Sequence, residues 1–372
     1  MNLEQIRAKP AALGIDPQKL QRIDTLLHKG IQNRWFPAAT YLIIRHGMIA
    51  AHRAFGYARP DRNPPQPAKP DTLFDMASLT KPFTATLLLQ SLEQGTLHLN
   101  QRVGDLLPEA SNTPVAPCTL KQLATHTSGL PAWKPLYKTR APSILHDILH
   151  TPLDAEPGTR YTYSDLGYIL LGRILEHVHN TTLHHLLLQR ICKPLGMKHT
   201  TFQPPPELHN NTAPTANCPM RPGQTLVAQV HDANAHALNG IAGHAGIFSN
   251  APDLARFALA IHRPAIAAHL HTPPILGPLA RKLATENQIP AHIGGHSIGW
   301  FTHPNPMLPR GDLLSERTFG HTGFTGTLLL CDPHNDLTLI LLTNRVYYPG
   351  DGTPVLTLRR LCANILAGAL TD

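Results

Sequence analysis

The chain is 372 residues long, 42% hydrophobic and 15% charged, enough to bury a large core in one large domain or two intertwined ones. Mean hydropathy is −0.15 and no apolar run reaches membrane-spanning length, so no membrane span is expected. The formal charge is +8 and the pI about 9.4, yet Lys and Arg form only the doublets Arg281-Lys282 and Arg359-Arg360; this argues against a nucleic-acid partner and for a scattered solvated surface, with room for a mild preference for acidic substrates.

The start, Met1-Asn2-Leu3-Glu4-Gln5-Ile6, lacks the basic-then-apolar pattern of a leader. A cytoplasmic location is expected from it, and a periplasmic one if a leader precedes it. Asp16 to Lys29 reads as an amphipathic helix ending near Gly30. Ala38 to Arg45 and Met48 to Phe55 read as strands around a His46-Gly47 turn. A Pro-rich loop from Arg59 to Pro70 precedes an apolar helix from Ala85 to Leu92. Leu120 to Thr125 begins a short helix that runs into the turn His126-Thr127-Ser128-Gly129-Leu130-Pro131. Helices are expected over Leu166 to His177, Leu183 to Cys192 and Asp253 to His262, the last capped by Ser249-Asn250. A loop rich in Pro, Asn and Thr spans Pro204 to Pro222. Strands return at Gly326 to Cys331 and Leu337 to Thr343, and a last helix runs from about Pro354 to Leu370. With strands at both ends and helices between, the simplest packing is α+β. The ends close into one antiparallel sheet flanked by terminal helices (1–75 with 290–372), and a mainly helical part (76–289) is inserted, with the site in the cleft between.

Five cysteines, widely spaced and without a C-x-x-C, read as reduced buried thiols rather than a disulfide frame or zinc site. The 24 histidines include His146 and His150 at helical spacing, read as an exposed face, and His292 and His296, where Gly294-Gly295 weakens a helix. Neither pair is read as a metal site, and no metal or cofactor is expected.

Three motifs carry chemistry. In Ser78-Leu79-Thr80-Lys81, the spacing puts a hydroxyl and an ammonium on one face at a helix start, whose field favours an alkoxide and lowers the lysine pKa. In Tyr161-Thr162-Tyr163-Ser164-Asp165, the Tyr163 phenol lies just before a helix; beside Lys81 its pKa would be depressed, letting it shuttle a proton. In Phe319-Gly320-His321-Thr322-Gly323-Phe324-Thr325-Gly326, which opens a strand, small residues let a substrate lie along the strand edge. There the Phe324 N–H pairs with that of Ser78 as an oxyanion hole.

Together these residues resemble the serine β-lactamase and penicillin-binding-protein superfamily, in its class C-like branch of esterases and peptidases. The likeness runs from Pro37 to Asn344 and includes Leu123 to Pro131 and Leu342-Thr343-Asn344-Arg345. It implies a β-lactamase/transpeptidase-like fold, with Ser78, Lys81 and Tyr163 catalytic and Phe324, His321, Gly323, Asp165 and His244 around the oxyanion and substrate. Val230 to Ala235 and Gly240 to Ser249 are similar to a subgroup of D-alanyl-D-alanine carboxypeptidases (penicillin-binding-protein 4B-like) and N-acetylmuramyl-L-alanine amidases. In that segment His244 lines the cleft, or Gly243-His244-Ala245-Gly246 is a structural loop with His231-Asp232 as a structural pair. Asp165 stands where the family often has Asn, and His321 where many β-lactamases have Lys, so efficient β-lactam turnover is not expected. The implied function is a serine hydrolase working through an acyl-enzyme on a muropeptide or D-alanyl peptide. The alternatives are a carboxylesterase for short acyl esters and a non-catalytic acyl-binding sensor of the same fold.

Overall fold

The computed structural model describes residues 6–269 and 273–371. Helix α1 (Pro17–Gln32) starts where Asp16 Oδ1 accepts the N–H groups of Gln18 and Lys19 at 2.8 and 3.2 Å, with Pro17 in the first turn. It runs past Gly30, because that glycine is a slot: a Cβ there would meet the Phe36 ring at 2.5 Å.

Strands β1 (Ala38–Arg45) and β2 (Met48–Arg59) pair antiparallel, and the short β3 (Gln66–Pro67) adds to the outer edge of β2. A separate two-stranded ladder joins β4 (Phe74–Asp75) to β5 (Phe248–Ser249). The late strands are β6 (Phe301–Thr302), β7 (Phe319–Thr322), β8 (Leu328–Asp332) and β9 (Leu337–Thr343). The main sheet has seven strands in the order β3-β2-β1-β9-β8-β7-β6. Its central seam pairs the two ends of the chain, Thr40 opposite Leu342 and Leu42 opposite Ile340.

Strands β1, β8 and β9 are buried along their whole length. Both sheet faces are covered, so these segments read as continuous apolar runs rather than alternating ones. Tyr41, Ile43, Leu339 and Leu341 point into a core shared with α1 and the C-terminal helix Thr353–Gly368. Leu42, Ile44, Ile340 and Leu342 point the other way, into a core shared with the helix Ala251–His262. The expected antiparallel sheet flanked by terminal helices is therefore present, and a helix from the middle of the chain covers its second face.

Helix α2 (Thr80–Glu93) runs through that second core, buried at twelve positions from Thr80 to Ser91. A helix wrapped on all sides must place its polar groups individually. Thr84 Oγ1 donates to Gly243 O at 2.8 Å, and Gln90 Nε2 donates to Ile275 O at 3.0 Å. The segment Leu183–Leu195 departs from the expected plain helix: a π-helical turn over Leu188–Cys192 separates two α-helical pieces. His146 and His150 lie exposed on the helix Ile144–Leu149 and just after it, as their spacing implied. All five cysteines are buried and unpaired. Among the described residues, no helix is long and apolar enough to cross a membrane.

Candidate active site

Ser78 is aimed by the residues just before it. After β4 the chain turns through Ala77, which takes a left-handed φ of 46° although it is not glycine. Asp75 holds the turn. Its Oδ1 accepts the Ala77 N–H at 2.8 Å and its Oδ2 the His231 N–H at 2.7 Å. Burial pushes the Asp75 carboxyl up to about 6, against those two hydrogen bonds. Ser78 sits in the 3-10 turn Ala77–Leu79 that leads into α2.

Lys81 Nζ donates to Ser78 Oγ at 3.0 Å, to Asp165 Oδ1 at 2.6 Å and to His244 O at 3.3 Å. Three acceptors use all three hydrogens of an ammonium whose side chain is fully buried. Asp165 opens the helix Asp165–His179, and the His126–Pro131 turn fixes that start. His126 Nδ1 accepts the Ser164 N–H at 3.0 Å, Pro131 O accepts Ser164 Oγ–H at 2.7 Å, and Ala132 O accepts the Asp165 N–H at 3.0 Å.

Tyr163 stands between these groups, its ring centroid 4.8 Å from Lys81 Nζ and 4.4 Å from the His126 ring. The Ser78 hydroxyl beside it favours the phenolate only weakly. The expected depression of its pKa is reversed. Burial, and then the Asp165 charge, push the phenol well above its ordinary value, so at rest it is neutral. The charge of Lys81 is met by Asp165 instead.

The third motif is itself a strand followed by a turn, rather than the opening of one. It comprises β7 and the loop Gly323–Thr327 that leads into β8. Thr325 Oγ1 donates to Asp75 O at 2.6 Å and Thr327 Oγ1 to Met76 O at 3.0 Å, clamping the loop onto the chain just before Ser78. Only glycine fits at 323, where a Cβ would lie 2.1 Å from Thr327 Oγ1 and 2.2 Å from Met76 O. The N–H groups of Ser78 and Phe324 are not used by turn or loop hydrogen bonds among the described residues. From below, Arg359 on the C-terminal helix donates through Nη2 to Gly323 O at 2.6 Å and to Thr327 O at 2.8 Å.

A cavity of about 570 Å³ opens over Ser78. Tyr163, Asp165, Gly323 and Phe324 line it, with Trp133, Tyr137, Asp232, Met307, Arg345 and Leu356. His321 and His244 are buried and do not line it. His321 stacks on Phe301 with ring centroids 4.4 Å apart, and its Nδ1 donates to Thr322 O at 2.9 Å. Burial, then Lys81, hold this imidazole well below its ordinary pKa, so it is neutral. His244 Nε2 donates to Asp232 Oδ1 at 2.9 Å, so Asp232 pairs with His244 and not with its neighbour His231. Burial pushes the Asp232 carboxyl up, but His244, the Ala235 N–H and Lys81 outweigh it and hold the group at about 2. Asp165, Asp232 and His244 are the described residues that could jointly hold a metal ion, their ligand atoms lying within 4.8 Å of one another. Asp165 is already bonded to Lys81 and Asp232 to His244, so groups of the chain already engage both carboxylates.

The beta-lactamase family model matches residues 23–363. The chain belongs to the beta-lactamase family. It is a serine hydrolase of that fold. A Salmonella enteritidis PT4 protein named "Putative D-alanyl-D-alanine carboxypeptidase" is 31% identical over 92% of this chain and 86% of its own length. Among solved structures, a class C beta-lactamase mutant superposes with a TM-score of 0.74 at 21% identity, over 92% of this chain and 97% of that one. EstCE1, a hydrolase with promiscuous acyltransferase activity, gives a TM-score of 0.73 at 22% identity, over 93% of this chain and 99% of that one.

Sequence reasoning missed Asp75, Arg359 and the Asp232–His244 pair. Asp232 had a signal of its own: as an N-cap it accepts the Ala235 N–H at 2.7 Å, which marks it as a residue with a local structural task.

Proposed function

We propose that this beta-lactamase-family protein hydrolyses peptidoglycan-derived amides, a D-alanyl peptide or a muropeptide, through an acyl-enzyme on Ser78. The observation that carries the mechanism is Lys81 Nζ 3.0 Å from Ser78 Oγ, with Asp165 behind it at 2.6 Å. Substrate carbonyl binding directs the oxygen toward the Ser78 and Phe324 N–H groups. Ser78 Oγ attacks as its proton passes to Lys81, which hands one of its own to Asp165. The Tyr163 phenol, neutral at rest, donates to the departing amine and recovers its proton through Lys81. Lys81, now a neutral amine, then takes a proton from the attacking water through the Tyr163 hydroxyl; as the ester breaks, Lys81 passes a proton to Ser78 Oγ and regains one from Asp165, which restores the resting site. The substrate class is supported by the carboxypeptidase name of the 31%-identical relative.

A short-ester carboxylesterase is the second reading, favoured by the apolar groups Trp133, Met307 and Leu356 around the cavity. Product mass spectrometry separates the two. Wild type and Ser78→Ala are incubated with a D-Ala-D-Ala peptide, a MurNAc-peptide and a short-chain ester. Release of D-alanine or peptide by wild type alone is the expected result. Cleavage of the ester alone makes the protein an esterase, and unchanged turnover by Ser78→Ala ends the acyl-enzyme mechanism.

A further inference from the structure

Arg345 has no task in the mechanism above. It follows β9, half-buried, with its guanidinium 4.2 Å over the ring of Phe324 and against the cavity that holds Ser78. Its backbone N–H is fixed to Thr325 O at 2.9 Å, so its position is tied to the loop that carries the Phe324 N–H. Its Nη1 lies across Gly352, where a Cβ would come within 2.3 Å. Among the described residues no side-chain hydrogen bond or contact ion pair engages the guanidinium, whose one attracting anion is Asp351. Asp351 lines the same cavity and attracts the guanidinium electrostatically, but it is fully exposed and its Oδ1 accepts the Thr353 N–H at 2.9 Å, so no hydrogen bond joins the two. Arg359 lines the same wall but spends its Nη2 on Gly323 O and Thr327 O. Arg345 is thus a cavity-lining cation with its donors unspent, in a site where His321 is neutral and buried.

We infer that Arg345 is a carboxylate anchor of the acyl-binding side, selecting substrates whose acyl group carries an anion. The side follows from the two poles of the cavity. Tyr163, which serves the leaving group, lies against His126 and His321, with ring centroids 4.4 and 6.0 Å away. Phe324 lies against Arg345 and His231, 4.2 and 5.9 Å away. The acyl group extends from Ser78 toward the second pole, where a planar guanidinium can take a carboxylate through two parallel N–H donors. This inference rests on the hydrolase reading above and narrows its substrate.

The test compares mono(p-nitrophenyl) glutarate with p-nitrophenyl valerate, esters of equal acyl length and one leaving group, on wild type, Arg345→Gln and Arg345→Lys. The readout is the ratio of kcat/KM for the anionic over the neutral ester, which cancels any shift of the Phe324 loop common to both. Wild type should favour the glutarate ester by about tenfold or more, Arg345→Gln should erase that preference, and Arg345→Lys should keep part of it. A wild-type ratio near one, or a preference that survives in Arg345→Gln, overturns the anchor and leaves the hydrolase reading standing. A second arm needs no turnover: binding of 3-carboxyphenylboronic acid and phenylboronic acid, both of which add to the Ser78 oxygen. Tighter carboxylate binding lost in Arg345→Gln supports the anchor. Equal binding refutes it alone, and binding of neither compound refutes the Ser78 nucleophile and the anchor together.

Discussion

Removing the Asp165 carboxylate tests the Lys81 environment most directly. Lys81 Nζ is fully buried and lies 2.6 Å from Asp165 Oδ1, while the Asp165 side chain is 18% exposed. At an effective dielectric of about 20, unit charges at that 2.6 Å separation attract by ~6 kcal/mol. Rehydration on unfolding offsets part of this, since both ions lose solvent in the fold. Asp165→Ala leaves the ammonium with only Ser78 Oγ and His244 O, and the expected loss is about 3 kcal/mol in urea unfolding. Asp165→Asn keeps an acceptor there and should lose about 1 kcal/mol. The decisive measurement is a double-mutant cycle with Lys81→Met. Removing both partners should cost less than the sum of the single losses by about 2 kcal/mol. Additivity within ~0.5 kcal/mol would show that the pair is energetically inert and would refute the reasoning.

Three further outcomes are expected. Gly323→Ala should lower kcat about a hundredfold with little change in overall fold, because the Cβ pushes the loop off Met76 O; near-wild-type turnover would remove the loop from the oxyanion site. Asp232 is held at about 2, below its ordinary 3.8, so the unfolded chain binds more protons between those values and stability rises with pH across that window. Its contribution of about 2 kcal/mol is full above pH ~4 and is lost as pH falls through about 2, so Asp232→Asn should cost that much at pH 7 and almost nothing at pH ~2, as urea midpoints would show. His321→Lys puts a second ammonium into a fully buried site near Lys81 and should destabilise the fold by about 3 kcal/mol or more, whereas His321→Gln should be far milder; equal midpoints for the two would contradict a closed, neutral pocket.

The sheet was readable from the sequence because β1 and β9 are long apolar runs that pair across the whole chain, Ala39 opposite Thr343. The two-residue strands β3 to β6 carry no period of their own, so only tertiary pairing reveals them. The Ser78–Lys81 contact was legible because three residues of helix bring those side chains together without help from the rest of the fold. Tyr163 was not legible in its protonation state, since that is set by burial and by Asp165 two positions on. Nor could the sequence tell that His321 faces Phe301 rather than the cavity, because one strand residue inward or outward depends on register. Arg345 reads as a family-like segment ending; its unspent donors appear only once β9 is placed beside Thr325.

The guanidinium of Arg359 reaches the Gly323–Thr327 loop from the helix Thr353–Gly368, which follows the last strand of the sheet. Ser78 and Lys81 are made early and the loop that carries Phe324 late. During synthesis Ser78 therefore emerges long before the loop beside it is braced. The loop beside Ser78 thus gains its two guanidinium hydrogen bonds, to Gly323 O and Thr327 O, only after every strand of the sheet has been made.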